Sequence, residues 1–200
     1  MTELELTRRR LLALGLALPP LAALAGSDLF TGELLAATPA IADDDDPTPA
    51  QTEGPYFTPN SPLRRSILPA GTAGTRLTLT GRVLTTAGRP VARALLDFWQ
   101  ADAAGTYDNS GYRFRGHQFT DASGRYALTT VVPGLYPGRT KHIHVKVQAP
   151  NRSVLTTQLY FPGVARNRAD SIFRSDLLVR NWRKVGSRRA ARFDFVLDLG

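Results

Sequence analysis

The chain of 200 residues contains no cysteine. That absence removes disulfide frameworks, thiolate metal sites and cysteine nucleophiles. Any metal must therefore be held through His, Tyr, Asp or Glu. Histidine is scarce, with three copies. There is no Gly-x-Ser-x-Gly and no visible Ser-His-Asp set, so a hydrolase is poorly supported. No internal repeat and no long segment of helical periodicity follow the N-terminal region. The formal charge is +8, yet there is no RNP-like aromatic stripe and no helix-turn-helix pattern. The arginines are scattered, densest at Arg8-Arg9-Arg10 and Arg188-Arg189. A basic surface that attracts small anionic aromatics, or serves solubility, fits this pattern better than nucleic-acid binding.

An apolar run follows Thr7-Arg8-Arg9-Arg10 and reaches about Ala25. Pro19-Pro20 interrupts it, and it is too short and broken for a stable membrane span. Its charged start and apolar middle read as an export signal of the twin-arginine type. Ala40-Ile41-Ala42 offers a cleavage site, as does the earlier Ala23-Leu24-Ala25. The expected organisation is a signal over 1–42, an acidic, proline-containing linker over 43–51, and one catalytic domain over 52–200. The protein is accordingly expected to be exported to the periplasm, cell surface or medium.

Within the domain, short alternating stretches predict strands at Arg76–Thr85, Val91–Gln100, Arg125–Val132, His142–Gln148 and Val154–Phe161. A last period-two stretch joins Phe193, Phe195, Leu197 and Leu199. Gly88-Arg89-Pro90 and Asp121-Ala122-Ser123-Gly124 read as turns. Residues 162 to 190, polar and arginine-rich, read as loop with one short helical turn. The pattern predicts an all-β sandwich or barrel.

His142 and His144 flank Ile143 on one of these strands, so their imidazoles share a face. They are a natural metal-ligand pair, but an incomplete one. His117, in Arg115-Gly116-His117-Gln118, is a candidate third ligand. No His-x-Asp or His-x-Glu pair supports a facial triad of the iron(II) type. Tyrosine is the other candidate donor, because a phenolate is a hard oxygen ligand suited to a trivalent ion. Tyr136 sits in Pro133-Gly134-Leu135-Tyr136-Pro137-Gly138, a backbone fixed by two prolines and two glycines. Tyr107 follows the strand end at Trp99-Gln100.

The segments Asp97-Phe98-Trp99-Gln100-Ala101-Asp102-Ala103-Ala104-Gly105-Thr106-Tyr107, Asp121-x-x-Gly124-x-Tyr126, Pro133-Gly134-Leu135-Tyr136-Pro137 and His142-Ile143-His144-Val145 together resemble the intradiol ring-cleavage dioxygenases. Thr157-Gln158-Leu159-Tyr160-Phe161 and Thr52 through Phe57 extend the resemblance, which covers roughly 52 to 162. Ordered motifs at compatible spacing are far more specific than any one alone. The resemblance implies a β-sandwich of the intradiol type with long active-site loops. It implies Fe(III) held by Tyr107 and His144 in equatorial positions and by Tyr136 and His142 in axial ones. Tyr136 would be the ligand that leaves the metal when substrate binds. Arg139 matches the family's active-site arginine, Gln158 a glutamine near substrate, and Tyr56 a position at the pocket mouth.

The implied reaction is cleavage of a catechol-type diol by O2, between the two hydroxylated carbons, to a muconate-type dicarboxylic acid. The competing expectation is a non-catalytic β-sandwich module that binds aromatics or glycans on its tyrosines. Two departures stand out. Only six positions separate Tyr136 from His142, where protocatechuate-cleaving relatives have a longer insertion. The helical N-terminal region that catechol-specific relatives use to dimerise is also missing, so a homodimer is left open. The chain resembles a compact, exported branch of the family. The expected partners are a small diol and O2, without nucleic acid. His117 receives no role.

Overall fold

The computed structural model describes residues 46–200. The expected export signal, and the linker as far as residue 45, lie outside the described residues. Among them, no helix is long and apolar enough to cross a membrane.

Among the described residues, nine strands form two sheets. They are β1 (Arg76–Thr85), β2 (Leu95–Trp99), β3 (Arg115–Phe119), β4 (Arg125–Val131), β5 (His142–Gln148), β6 (Val154–Tyr160), β7 (Arg180–Val185), β8 (Arg188–Arg192) and β9 (Phe195–Leu197). The five-stranded sheet runs β4-β1-β8-β7, with β9 also on β1. The four-stranded sheet runs β3-β2-β5-β6, antiparallel throughout. β8 and β9 pair with β1 in parallel, so the end of the chain closes against the domain's first strand.

Period-two alternation explains how the sheets bury one another. Leu77, Leu79 and Val83 of β1 face inward, as do Leu96 and Phe98 of β2 and Ile143, Val145 and Val147 of β5, all in one buried cluster. Removing one such Leu to Ala would cost about 2–5 kcal/mol. The same alternation sends His142, His144 and Lys146 to the opposite face of β5. Register then places Trp99 and Gln158 on either side of His144, and Tyr160 beside His142.

The observed strands fall where the alternation predicts them, with four corrections. β2 begins at Leu95 rather than Val91, because Arg93 takes a φ of +55°, outside the strand region. β3 is not among the expected strands. Its inward positions are Gly116 and Gln118, which carry no apolar signal; Gly116 is there because a Cβ would strike Arg64 and Ile67. β7 and β8 fill part of the stretch expected to be loop, alongside two 3-10 turns, Ala165–Arg168 and Ser175–Leu177. That hairpin lies at the sheet edge with exposed arginines on it, so only Trp182 and Ala191 reach the core. Finally, the end of the expected linker is bonded to the sandwich. Thr48 and Val196 exchange two hydrogen bonds, Gln51 N–H donates to Thr156, and Thr157 Oγ1 donates to the Pro49 carbonyl.

Candidate metal centre

The outer face of the four-stranded sheet is buried beneath loops, and four of the sequence-predicted residues meet there. Tyr107 arrives on the loop after β2. That loop is pinned by Asp102, which accepts the N–H groups of Ala104 and Thr106 at 2.8 and 2.9 Å. Gly105, at φ +91°, packs so tightly on the Leu135 carbonyl that a side chain there would clash. The loop carrying Tyr107 and the loop carrying Tyr136 are thereby locked together.

The Tyr107 hydroxyl lies 3.0 Å from His142 Nε2 and 3.1 Å from His144 Nε2. His142 Nδ1–H donates to the Thr140 carbonyl at 2.6 Å. That bond fixes the tautomer and leaves Nε2 as the lone-pair donor facing Tyr107. The two imidazoles meet edge to face, 4.7 Å between centroids. His144 is held by a parallel stack on Trp99 at 4.8 Å. The Tyr136 ring lies 5.7 Å from that of Tyr107. Tyr56 stacks on Tyr107 at 4.6 Å and shares a 2.6 Å hydroxyl–hydroxyl bond with Tyr136.

Burial keeps His142, His144 and Tyr107 uncharged in the absence of a cation. It pushes His142 down to about 4 and His144 well below the ordinary imidazole value. It lifts Tyr107 well above a normal phenol, with Arg139 and Arg115 opposing the rise. Neutral imidazole is the form that ligates metals. A buried phenol that resists ionisation becomes a phenolate only when a cation supplies the field. Two Nε2 atoms converging on one phenol oxygen, with a second phenol beside it, therefore fit a hard trivalent ion. No cluster of three His, Asp or Glu that could hold a metal occurs among the described residues, so a carboxylate-rich site is not the alternative.

Arg139 and Gln158 are also together, at the edge of this cluster. Arg139 Nη2 donates to Gln158 Oε1 at 2.7 Å, and Nε donates to Asp170 at 2.9 Å. Gln158 Nε2 donates in turn to the Thr52 carbonyl. His117 stands apart: its Nδ1–H donates to the Ser61 carbonyl at 2.6 Å, one register row away from the ligand pair. It is a structural histidine, not a third ligand.

Sequence reasoning missed three supporting residues. Asp170 is 6 % exposed. Burial opposes its ionisation, yet N–H bonds from Thr140 and Ile172 and the Arg139 guanidinium hold its carboxyl below the usual range. It thus fixes both Arg139 and the backbone next to His142. Tyr160 is fully buried, with its hydroxyl 2.9 Å from Gln51 Oε1 and 3.4 Å from Arg139. Burial pushes it up to about 12. Arg115, 2 % exposed, donates to the carbonyls of Asp108 and Tyr56 and so ties together the loops bearing Tyr107 and Tyr56. Tyr160 lies inside a recognisable motif; Asp170 and Arg115 sit in stretches without one.

A family model described as Dioxygenase matches residues 52–199. The protocatechuate 3,4-dioxygenase beta chain of Burkholderia cepacia is 38% identical over 118 residues, covering 50% of each chain. Among solved structures, the dioxygenase domain of a dioxygenase carbohydrate-binding protein fusion from the cellulolytic bacterium Streptomyces sp. SirexAA-E superposes with a TM-score of 0.75 at 58% identity. That match covers 78% of this chain and all of the other. The 3-chlorocatechol 1,2-dioxygenase of Rhodococcus opacus 1CP gives 0.70 at 31% identity, covering 76% and 72%. The chain spans about half to two thirds of the length of the curated relatives it matches.

Proposed function

The chain belongs to the intradiol ring-cleavage dioxygenase family, and from that premise we propose that it uses Fe(III) to cleave a catechol-type diol with O2 into a muconate-type dicarboxylic acid. The convergence of Tyr107 with both Nε2 atoms, beside Tyr136, carries the reading. Tyr107, Tyr136, His142 and His144 would hold the metal. Fe(III) held there would supply Lewis acidity toward the diol, making its ring susceptible to O2.

The remaining steps belong to the protein. Tyr136 is half-buried and next to exposed Leu135, so the diol approaches from this side. As a phenolate, Tyr136 can accept a diol proton at Oη. Its hydroxyl then keeps Tyr56 Oη as a partner 2.6 Å away. Arg139 stands as a fixed cation for negative charge that develops on the ring. Asp170 and Gln158 aim it, which reduces the reorganisation needed during reaction. Tyr107, stacked on Tyr56 and hydrogen-bonded through its hydroxyl to the imidazoles, stays in place. Two of the relatives are named for differently substituted diols, protocatechuate and 3-chlorocatechol, and two adjacent hydroxyls are the feature a two-point site needs.

A non-catalytic aromatic-binding module has no use for two buried imidazoles aimed at a phenol. Oxygen uptake with catechol, with product spectra to locate the cleaved bond, tests the proposal. Uptake with muconate formation supports it; binding without uptake by iron-loaded protein contradicts it. We also propose export through the twin-arginine-type leader. Retention of the protein in the cytoplasm after Arg8→Lys/Arg9→Lys, with the unaltered protein exported, would support this.

A further inference from the structure

The outer face of the five-stranded sheet carries a second site, on the side of the sandwich away from the metal ligands. Outward-facing positions of β4, β1 and β8 border an open cleft of about 360 Å³ lined by Arg65, Arg82, Arg125, Arg192 and Asp121, with Thr80 and Ala127 at its floor. Three guanidinium groups, of Arg65, Arg82 and Arg125, thus share one lining carboxylate, Arg192 being paired with Asp194. Arg82 and Arg125 are direct cross-strand partners. Like charges so placed destabilise a sheet, and neither side chain packs into the core.

The carboxylates nearby are already engaged. Asp121 Oδ1 accepts the N–H groups of Ser123 and Arg125 at 2.8 and 2.9 Å. Asp194 accepts the Arg82 N–H at 2.8 Å and takes Arg192 through Nε and Nη2 at 3.1 and 2.8 Å. This last pair shows the chemistry the cleft favours, a guanidinium fork on a planar carboxylate. The floor offers no base-stacking platform: Tyr126 is buried, its hydroxyl donating to the Phe193 carbonyl.

We propose that this cleft binds clustered carboxylates, supplied by a free polycarboxylate or by the side groups of an acidic polysaccharide. The anion sits between the Arg82 and Arg125 guanidiniums, with Arg65 at the rim, and relieves their repulsion. The site is independent of the ring-cleavage reading, since none of its residues reaches the metal cluster.

Titration calorimetry of the intact protein at low ionic strength tests it with three probes: citrate, polygalacturonate and inorganic pyrophosphate. Saturable citrate binding is expected, weakening with salt and at least about tenfold weaker in Arg82→Gln and in Arg125→Gln, as for loss of one charge-assisted contact. Neither variant should fall below the unaltered protein in melting temperature or iron content. Tighter binding of polygalacturonate than of citrate identifies the polymer as source; the reverse identifies the small molecule. Absence of saturable binding to either carboxylate, binding unchanged in both variants, or preference for pyrophosphate over both would overturn the proposal.

Discussion

The two sheets share one core and differ in what covers their outer faces. The four-stranded sheet is roofed by the segment 47–57 and by the loops bearing Tyr107 and Tyr136. Under that roof, charge is suppressed: His142, His144 and Tyr107 are all driven toward their neutral forms by burial. The five-stranded sheet is open, and there Arg65, Arg125 and Arg192 stand exposed in water. The first face holds groups that burial keeps neutral; the second holds groups that are always charged. The same outward-facing alternation of side chains serves both sheets, so the loops that cover a face decide what it can do.

The largest expected effect comes from breaking the roofed face at its centre. Tyr107→Phe or His144→Ala should purify without iron and without visible colour, and oxygen uptake should vanish. Metal analysis together with circular dichroism separates loss of metal from loss of fold. Next, Arg139→Ala should retain iron but lose about 10²–10³-fold in turnover, the scale for removing one preorganised electrostatic group. Arg139→Lys should rescue it poorly, because an ammonium cannot bridge Asp170 and Gln158 through a planar fork. Steady-state oxygen consumption measures both.

Acid should sharpen the contrast in metal-free protein. His142 is held neutral in the fold down to about 4, whereas the unfolded chain takes up the proton near 6.5. Between those values the unfolded state binds more protons, so stability falls as pH falls, by on the order of 3 kcal/mol from this group before levelling off. Urea unfolding at successive pH values reads the slope. The smallest effect belongs to the open face. Arg125→Gln should change unfolding free energy by no more than about 0.5 kcal/mol, in the stabilising direction, because it removes the repulsion with Arg82.

Much of the roofed face is legible in the amino-acid sequence. His142 and His144 pair from strand period alone, and Tyr107 and Tyr136 enter through ordered motifs. What stays hidden is long-range. Asp170 bonds back to Arg139 across 31 residues, from a stretch whose composition reads as loop. Arg115 looks like a surface arginine until folding buries it against carbonyls 7 and 59 positions away. β8 joins β1 in parallel, more than a hundred residues apart, and nothing local to Arg188–Arg192 marks that pairing. Period reports which face a side chain takes; it does not report which distant segment will cover that face.

Everything proposed for the roofed face turns on Tyr107 and Tyr136, with the two histidines, holding Fe(III) for a diol. The decisive experiment is visible absorption of the iron-loaded protein under anaerobic titration with catechol. A burgundy protein is expected, whose tyrosinate-to-iron charge-transfer band shifts as catechol binds and is restored, with muconate released, once O2 is admitted. A protein that binds iron yet stays colourless, or whose band ignores catechol, would contradict that assignment.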